Sequence, residues 1–288
     1  MATASFMAKL DNSTDENFRL WGKGLSDAIT SVGLAKTADT GQIDWATIAK
    51  PAALSTYVGY EIRAFSDAIQ SSCPIFVKLE YGAYTSSQLR PGVRITVGHE
   101  TDGAGNFIGA TSFTFTVGPT SQDSTTLFNC FVSGANDRVS VVMFVSTAVY
   151  YTFGFYIERL KDNSGDPTDS GINIVTMYPG AKFSQFFPKG TGGPFPFVPV
   201  SPCCMSPYSG QGSYAGNLGV YPIYPMTGYA ANPDLGGFLY FINDIGSIGC
   251  TMTISIYGEN HTYLLMGRAS GNTNGNANLE SAIAMRYE

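Results

Sequence analysis

Charge is what this sequence has least of. Lys, Arg, Asp and Glu make up 13% of its 288 residues, against roughly 25% in an average soluble domain. A freely diffusing monomer stays in solution by presenting charge to water. A share this small implies that neighbouring subunits cover part of the surface, although an ordinary β-domain dressed in Ser, Thr and Asn would have the same composition. The 16 basic residues are scattered without a run, and the net charge is -6. Phosphate backbones need clustered Lys and Arg, so nucleic acid is excluded as the main partner.

The residues that usually carry chemistry are equally sparse. There are two histidines, His99 and His261. His99 and Glu100 are adjacent, and adjacent residues of a strand point to opposite faces, so with Asp102 they make a poor metal cluster. The five cysteines, Cys73, Cys130, Cys203, Cys204 and Cys250, are too few for a disulfide framework, odd in number and without CxxC spacing. We read them as reduced thiols. No Gly-x-Ser-x-Gly elbow and no His-Glu-x-x-His motif occurs, and no Gly-Lys-Ser/Thr follows the glycines of residues 98–109. Asp162, Asn163, Asp166 and Asp169 share one loop, but their spacing is not that of an EF-hand and Pro167 interrupts it. Paired carboxylates of the glycosidase type are brought together by folding, and nothing singles out a pair. The expectation is therefore a protein that is not an enzyme, with no catalytic residue, no metal ligand and no cofactor.

Long apolar runs are missing as well. Residues 1–10 hold no apolar core of a signal peptide. Residues 139–157 are 19 without a charge, long enough for a membrane helix. They are rich in Val, Thr, Tyr and Phe and are broken at Ser146-Thr147 and Gly154, which predicts two buried strands or one long bent one.

What is present is a helix followed by many short strands. Ser13-Thr14-Asp15-Glu16 has the form of a capping box with Ser13 at the N-cap. Phe18, Trp21, Leu25, Ile29 and Val32 follow at helical spacing, and Gly33 suits the end. That stripe must be buried, either on its own domain or on a neighbour. Residues 35–53 are polar and mixed, with Gly41 and Pro51 as breakers, and read as an extended linker or arm. From residue 55 the pattern becomes strands near 56–65, 74–81, 93–97, 112–117, 127–132, 139–145 and 149–157, with a turn at 102–106 and a polar loop at 161–171. Strands of this length punctuated by Gly, Pro, Asn and Asp predict a mainly β protein, a jelly-roll-like β-sandwich. Strands at 250–257, 262–266 and 281–287 close the domain.

Residues 190–233 hold no charged residue and 8 of the 15 prolines. Proline removes a donor and fixes φ, which argues against a long helix or a central strand. Seven aromatics (Phe195, Phe197, Tyr208, Tyr214, Tyr221, Tyr224 and Tyr229) argue against disorder. The segment reads as an ordered, extended loop lying on a surface. The organisation expected is a helix and arm at 1–54, a sandwich core at 55–180, the Pro/Gly/aromatic loop at 181–235 and closing strands at 236–288.

Several further segments stand out: Asn17-Phe18-Arg19-Leu20-Trp21-Gly22-Lys23-Gly24, Thr40-Gly41-Gln42-Ile43-Asp44-Trp45 and Gly59-Tyr60-Glu61-Ile62. Pro74-Ile75-Phe76-Val77-Lys78-Leu79-Glu80-Tyr81-Gly82 and Arg90-Pro91-Gly92-Val93-Arg94-Ile95-Thr96-Val97-Gly98 join them, with an echo in Ala282-Ile283-Ala284-Met285-Arg286-Tyr287. Together they resemble segments of structural virion proteins of tailed bacteriophages. These motifs are structural, so no functional residue carries over. The resemblance implies a virion component of tail, baseplate, neck or head decoration. Its partners would be copies of itself and other virion proteins, with a host-surface glycan as the alternative ligand. The expected contact residues are Phe18, Trp21 and Leu25 on the helix, together with the seven aromatics.

Overall fold

A computed structural model describes residues 2–84, 90–109, 111, 114–118, 127–145, 148–161, 166–177, 181–186, 197–203, 219–222, 224–227, 230–231, 238–242, 251–256, 259–268 and 281–287. The protein is mainly β, with one helix among the described residues and antiparallel sheets throughout.

The chain starts with strand β1 (Ala2–Lys9) and helix α1 (Asp15–Ser31), then β2 (Tyr57–Ala64), β3 (Phe76–Ala83), β4 (Pro91–Gly98) and β5 (Phe115–Val117). A run of longer strands follows: β6 (Leu127–Ala135), β7 (Arg138–Val145), β8 (Ala148–Lys161), β9 (Pro167–Met177) and β10 (Ala181–Phe186). Next are β11 (Phe197–Cys203), β12 (Gly219–Pro222), β13 (Tyr224–Thr227) and β14 (Ala230–Ala231). The last are β15 (Phe238–Ile242), β16 (Thr251–Ile256), β17 (Glu259–Arg268) and β18 (Ser281–Arg286). They form a nine-stranded sheet in the order β1-β6-β7-β8-β9-β10-β11-β13-β14, a five-stranded sheet β12-β15-β18-β17-β16, and a four-stranded sheet β2-β3-β4-β5.

Register shows how these layers stack, because opposed residues of an antiparallel pair share a face. Cys130 pairs with Met143 and Met143 with Phe153, while Val132 pairs with Val141 and Val141 with Phe155. This apolar face of the nine-stranded sheet shares one core with Val77, Leu79, Tyr81, Val93, Ile95 and Val117 of the four-stranded sheet. The opposite face carries Tyr156, Glu158 and Arg138, and β17 packs against β8 there. Tyr263 and Leu264 of β17 are buried. Tyr287 stacks edge-on against Phe131 at 5.6 Å, and its carbonyl accepts from Ser133 Oγ.

Helix α1 lies over β1 and β6. Its N-cap is Thr14, whose hydroxyl accepts from Asn17 N at 3.1 Å, and not Ser13. Ser13 is engaged elsewhere: its hydroxyl donates to Asp11 Oδ2 at 2.6 Å. At the far end Gly33 has φ +103, the left-handed conformation that ends helices at glycine.

Three further expectations are corrected. Residues 35–53 are not a free arm. Thr37 N donates to Ile62 O, Ile43 N to Tyr60 O, and Arg19 Nε of the helix to Ile48 O, while Ile43 and Trp45 are buried in the core. Residues 167–171 are the start of β9, not loop: Pro167 pairs with Lys161 and, after a shift in register, the fully buried Ile172 pairs with Arg159. Finally, β11 lies between two neighbours despite Pro199 and Pro202. Its residues 197–200 pair with β10 alone and 201–203 with β13 alone, so each proline borders one partner only. A missing N–H is tolerated at such one-sided positions. Strands 139–145 and 149–157 form as expected, and no described helix is long and apolar enough to cross a membrane.

Candidate functional site

Two clusters of buried charge hold the layers together, and both are built from the strands upward. Glu61 and Arg63 stand two apart on β2, so they share the face turned to the core and the helix. Both are fully buried, and Arg63 Nη2 donates to Glu61 Oε2 at 2.6 Å. Glu61 also accepts from Ser26 Oγ (2.7 Å), Trp45 Nε1 (3.0 Å), Tyr81 OH (3.0 Å) and Lys36 Nζ (2.5 Å). The two terminal nitrogens of Arg63 also donate to Thr30 Oγ1, Leu34 O and Ser26 O, fastening the last turns of α1 to the sheet. Burial pushes the Glu61 carboxyl up, but the Arg63 charge and the hydrogen bonds from Lys36, Arg63 and Ser26 outweigh it. The group is held below its ordinary 4.5. Trp45, Trp21, Phe18 and Tyr81 pack around this hub with ring centroids 4.8–6.3 Å apart.

The second cluster lies where β6 turns into β7 and β8 ends. Tyr156 OH donates to Glu158 Oε2 at 2.5 Å. Lys161 Nζ sits 3.5 Å from Glu158 Oε1 and 2.8 Å from Asp137 Oδ2, and Arg138 Nη1 is 4.0 Å from Glu158 Oε1. Here burial wins: it raises the Glu158 carboxyl above 4.5 against the pull of Lys161, Arg138 and the Tyr156 hydrogen bond. Burial, followed by the Glu158 charge, holds the Tyr156 phenol well above its ordinary value. The difference from Glu61 is one of distance and donors. Glu61 has five donors within 3.0 Å, whereas the cations facing Glu158 stand at 3.5 and 4.0 Å.

Nearby, Arg159 Nε donates to Asp67 Oδ2 at 2.7 Å and Nη2 to Gln70 Oε1 at 3.0 Å, with the guanidinium 5.9 Å from the Phe65 ring. Asp67 and Asp137 both line an open cleft of about 680 Å³, together with Val32, Gly33 and Asn136. Both carboxylates are already paired with a cation, so the cleft offers no spare anionic ligand from them. No group of His, Cys, Asp and Glu among the described residues could hold a metal ion. Of the loop considered for calcium, Asp162 and Asn163 lie outside the described residues.

The expected contact residues divide sharply. Phe18, Trp21 and Leu25 are 0%, 1% and 0% exposed and belong to the chain's own core, so they are withdrawn as contacts for a neighbour. The helix stripe buries itself on β1, β6 and the segment carrying Trp45. Phe197, Tyr221 and Tyr224 fall in β11, β12 and β13. Phe195, Tyr208, Tyr214 and Tyr229 lie outside the described residues. Sequence reasoning did not reach the Glu61–Arg63 hub. Its signal was a Glu and an Arg at i and i+2 in an otherwise uncharged strand, which must share one face.

The exterior has apolar residues of its own. Met7 and Leu127 are 62% and 48% exposed. Met7 opposes Asn129 and Lys9 opposes Leu127, so Met7 and Leu127 are diagonal neighbours on one face of the β1–β6 pair. Set against protein-family models, curated proteins and solved structures, the chain gives no match.

Proposed function

We propose that this protein is a structural component of a tailed-bacteriophage virion, tail-associated in baseplate, collar or fibre attachment, and that it acts through subunit interfaces without catalysis. The observation that carries the reading is where the charge sits. Of only 16 basic and 22 acidic residues, Asp11, Glu61, Arg63, Asp67, Arg90, Asp137, Arg138, Glu158 and Arg159 are buried. A sequence already short of charge spends nine of these residues inside, which leaves its exterior more neutral than composition alone implies. Such a surface favours burial against other subunits, whether copies of itself or other virion proteins. The paired clusters supply a rigid body for that role. The likeness of residues 17–24, 40–45, 59–62, 74–82 and 90–98 to virion proteins points to the particle.

The finer fold, a jelly-roll-like sandwich, belongs to this proposal. Stacked sheets support the sandwich. The long connection from β1 across the whole four-stranded sheet to β6 supports crossings of the jelly-roll kind. The alternative, a head-decoration or glycan-binding protein, would use the tyrosines at 208 to 229, of which Tyr221 and Tyr224 fall in β12 and β13 while Tyr208, Tyr214 and Tyr229 lie outside the described residues.

Fractionating purified particles into heads and tails and locating the chain by mass spectrometry tests the reading. Recovery with tails is expected. Recovery with heads alone, together with binding on a glycan array, would move the assignment to the alternative.

A further inference from the structure

We infer that the outer edge of β1 is a self-association surface, taking β1 of a second copy in antiparallel pairing; this inference rests on the subunit-interface reading above. β1 ends the order of the nine-stranded sheet, and no described backbone group pairs with its outer side. Proteins guard such edges with charge, proline or bulges. β1 has no proline, its eight residues pair with β6 without a register shift, and its one charge is Lys9 at the very end. Among the described residues, then, nothing pairs with the outer side of β1, and along residues 2–8 no proline, bulge or charge guards it.

The occupant follows from the residues the edge would bring together. Parallel pairing in register would set Lys9 beside Lys9 and is opposed by like charge. Antiparallel pairing about a two-fold axis at Phe6 sets Lys9 opposite the partner subunit's Thr3 and separates the two cations. It also sets Ser5 opposite the partner subunit's Met7 and Ala4 opposite the partner subunit's Ala8. Phe6, half-buried under α1 where its ring packs against Gly24, would meet its own copy. On the outer face the two exposed Met7 side chains become diagonal neighbours, each beside its own exposed Leu127. A two-fold contact of this kind is self-complementary. It joins two nine-stranded sheets into one through backbone hydrogen bonds.

Two double variants test it, both at exposed positions of β1. Ser5→Lys with Met7→Lys puts lysines directly opposite one another twice across the axis. Ser5→Lys with Met7→Glu puts opposite charges there instead. Sedimentation of the full chain over a concentration series should show dimerisation weakened about tenfold or more by the lysine pair. The Lys/Glu variant should associate like the wild-type chain, and thermal melts confirm that both variants fold. A wild-type chain that stays monomeric, or two variants that associate equally, overturns the edge pairing. The second result leaves the virion reading standing, because other surfaces then carry the association. Absence of the chain from particles removes the virion reading, and sedimentation still decides the edge.

Discussion

At the scale of single residues, the two buried glutamates make opposite predictions. Glu61 is held below its ordinary 4.5 in the fold. As pH falls the unfolded chain takes up its proton first, so the stability Glu61 contributes is present above about 4.5 and is lost as pH drops through the lower folded value. Glu158 is raised. The folded chain then holds the proton to higher pH, so its contribution is complete below 4.5 and is lost as pH rises through the raised value. Glu61→Gln should cost about 3–5 kcal/mol at neutral pH, since it strands Arg63 in the interior without its counter-charge. It should also flatten the acid limb of a melting-temperature profile. Glu158→Gln resembles the protonated form that burial favours. It should cost less than Glu61→Gln and flatten the loss on the other limb. Melting curves of the two variants across pH check both, and equal losses at neutral pH would contradict the account. Neither site was legible beforehand. The spacing of Glu61 and Arg63 placed them on one face of a strand, but which face is buried depends on the helix and Trp45 arriving from elsewhere.

At the scale of elements, close approach decides what can change. The Trp45 ring lies on Gly22 of α1, so close that an added methyl group would fall 2.0 Å from its Cη2. Gly22→Ala should therefore destabilise by about 1–3 kcal/mol by overpacking, although alanine is the better helix former. Chemical denaturation measures this, and a stabilised variant would show that residues 44–50 do not clamp the helix. Periodicity made α1 and most strands from β2 to β8 legible, because their apolar faces repeat at 3.6 or 2. It failed for β1, whose inward face of Ala4, Phe6 and Ala8 is mostly too small to stand out. It failed again for the start of β9, where Pro167-Thr168-Asp169-Ser170-Gly171 is written in turn residues and bulges between the pairs Lys161–Pro167 and Arg159–Ile172. In residues 190–233 the prolines argued for a loop, and one-sided pairing lets β11 carry two of them.

At the scale of the whole molecule, the low charge of the composition gains a physical location. Hydrogen bonds from Arg63 fasten α1 to β2, ion pairs link β8 to the β6–β7 turn and the Asp67 segment, and nine charged residues are taken out of the exterior. Because residues 190–233 supply β11, β12, β13 and β14, removing them should unseat strands from two sheets and not merely trim an arm. Limited proteolysis of such a deletion should release fragments that the intact chain resists, and a deletion as resistant as the parent would mean these strands are dispensable. The most direct measurement of the central claim is quantitative mass spectrometry of purified phage particles. The account predicts the chain in every preparation at a fixed copy number per particle, set by the rotational symmetry of the tail. Particles that lack it, from cells in which it is plentiful, would contradict the account.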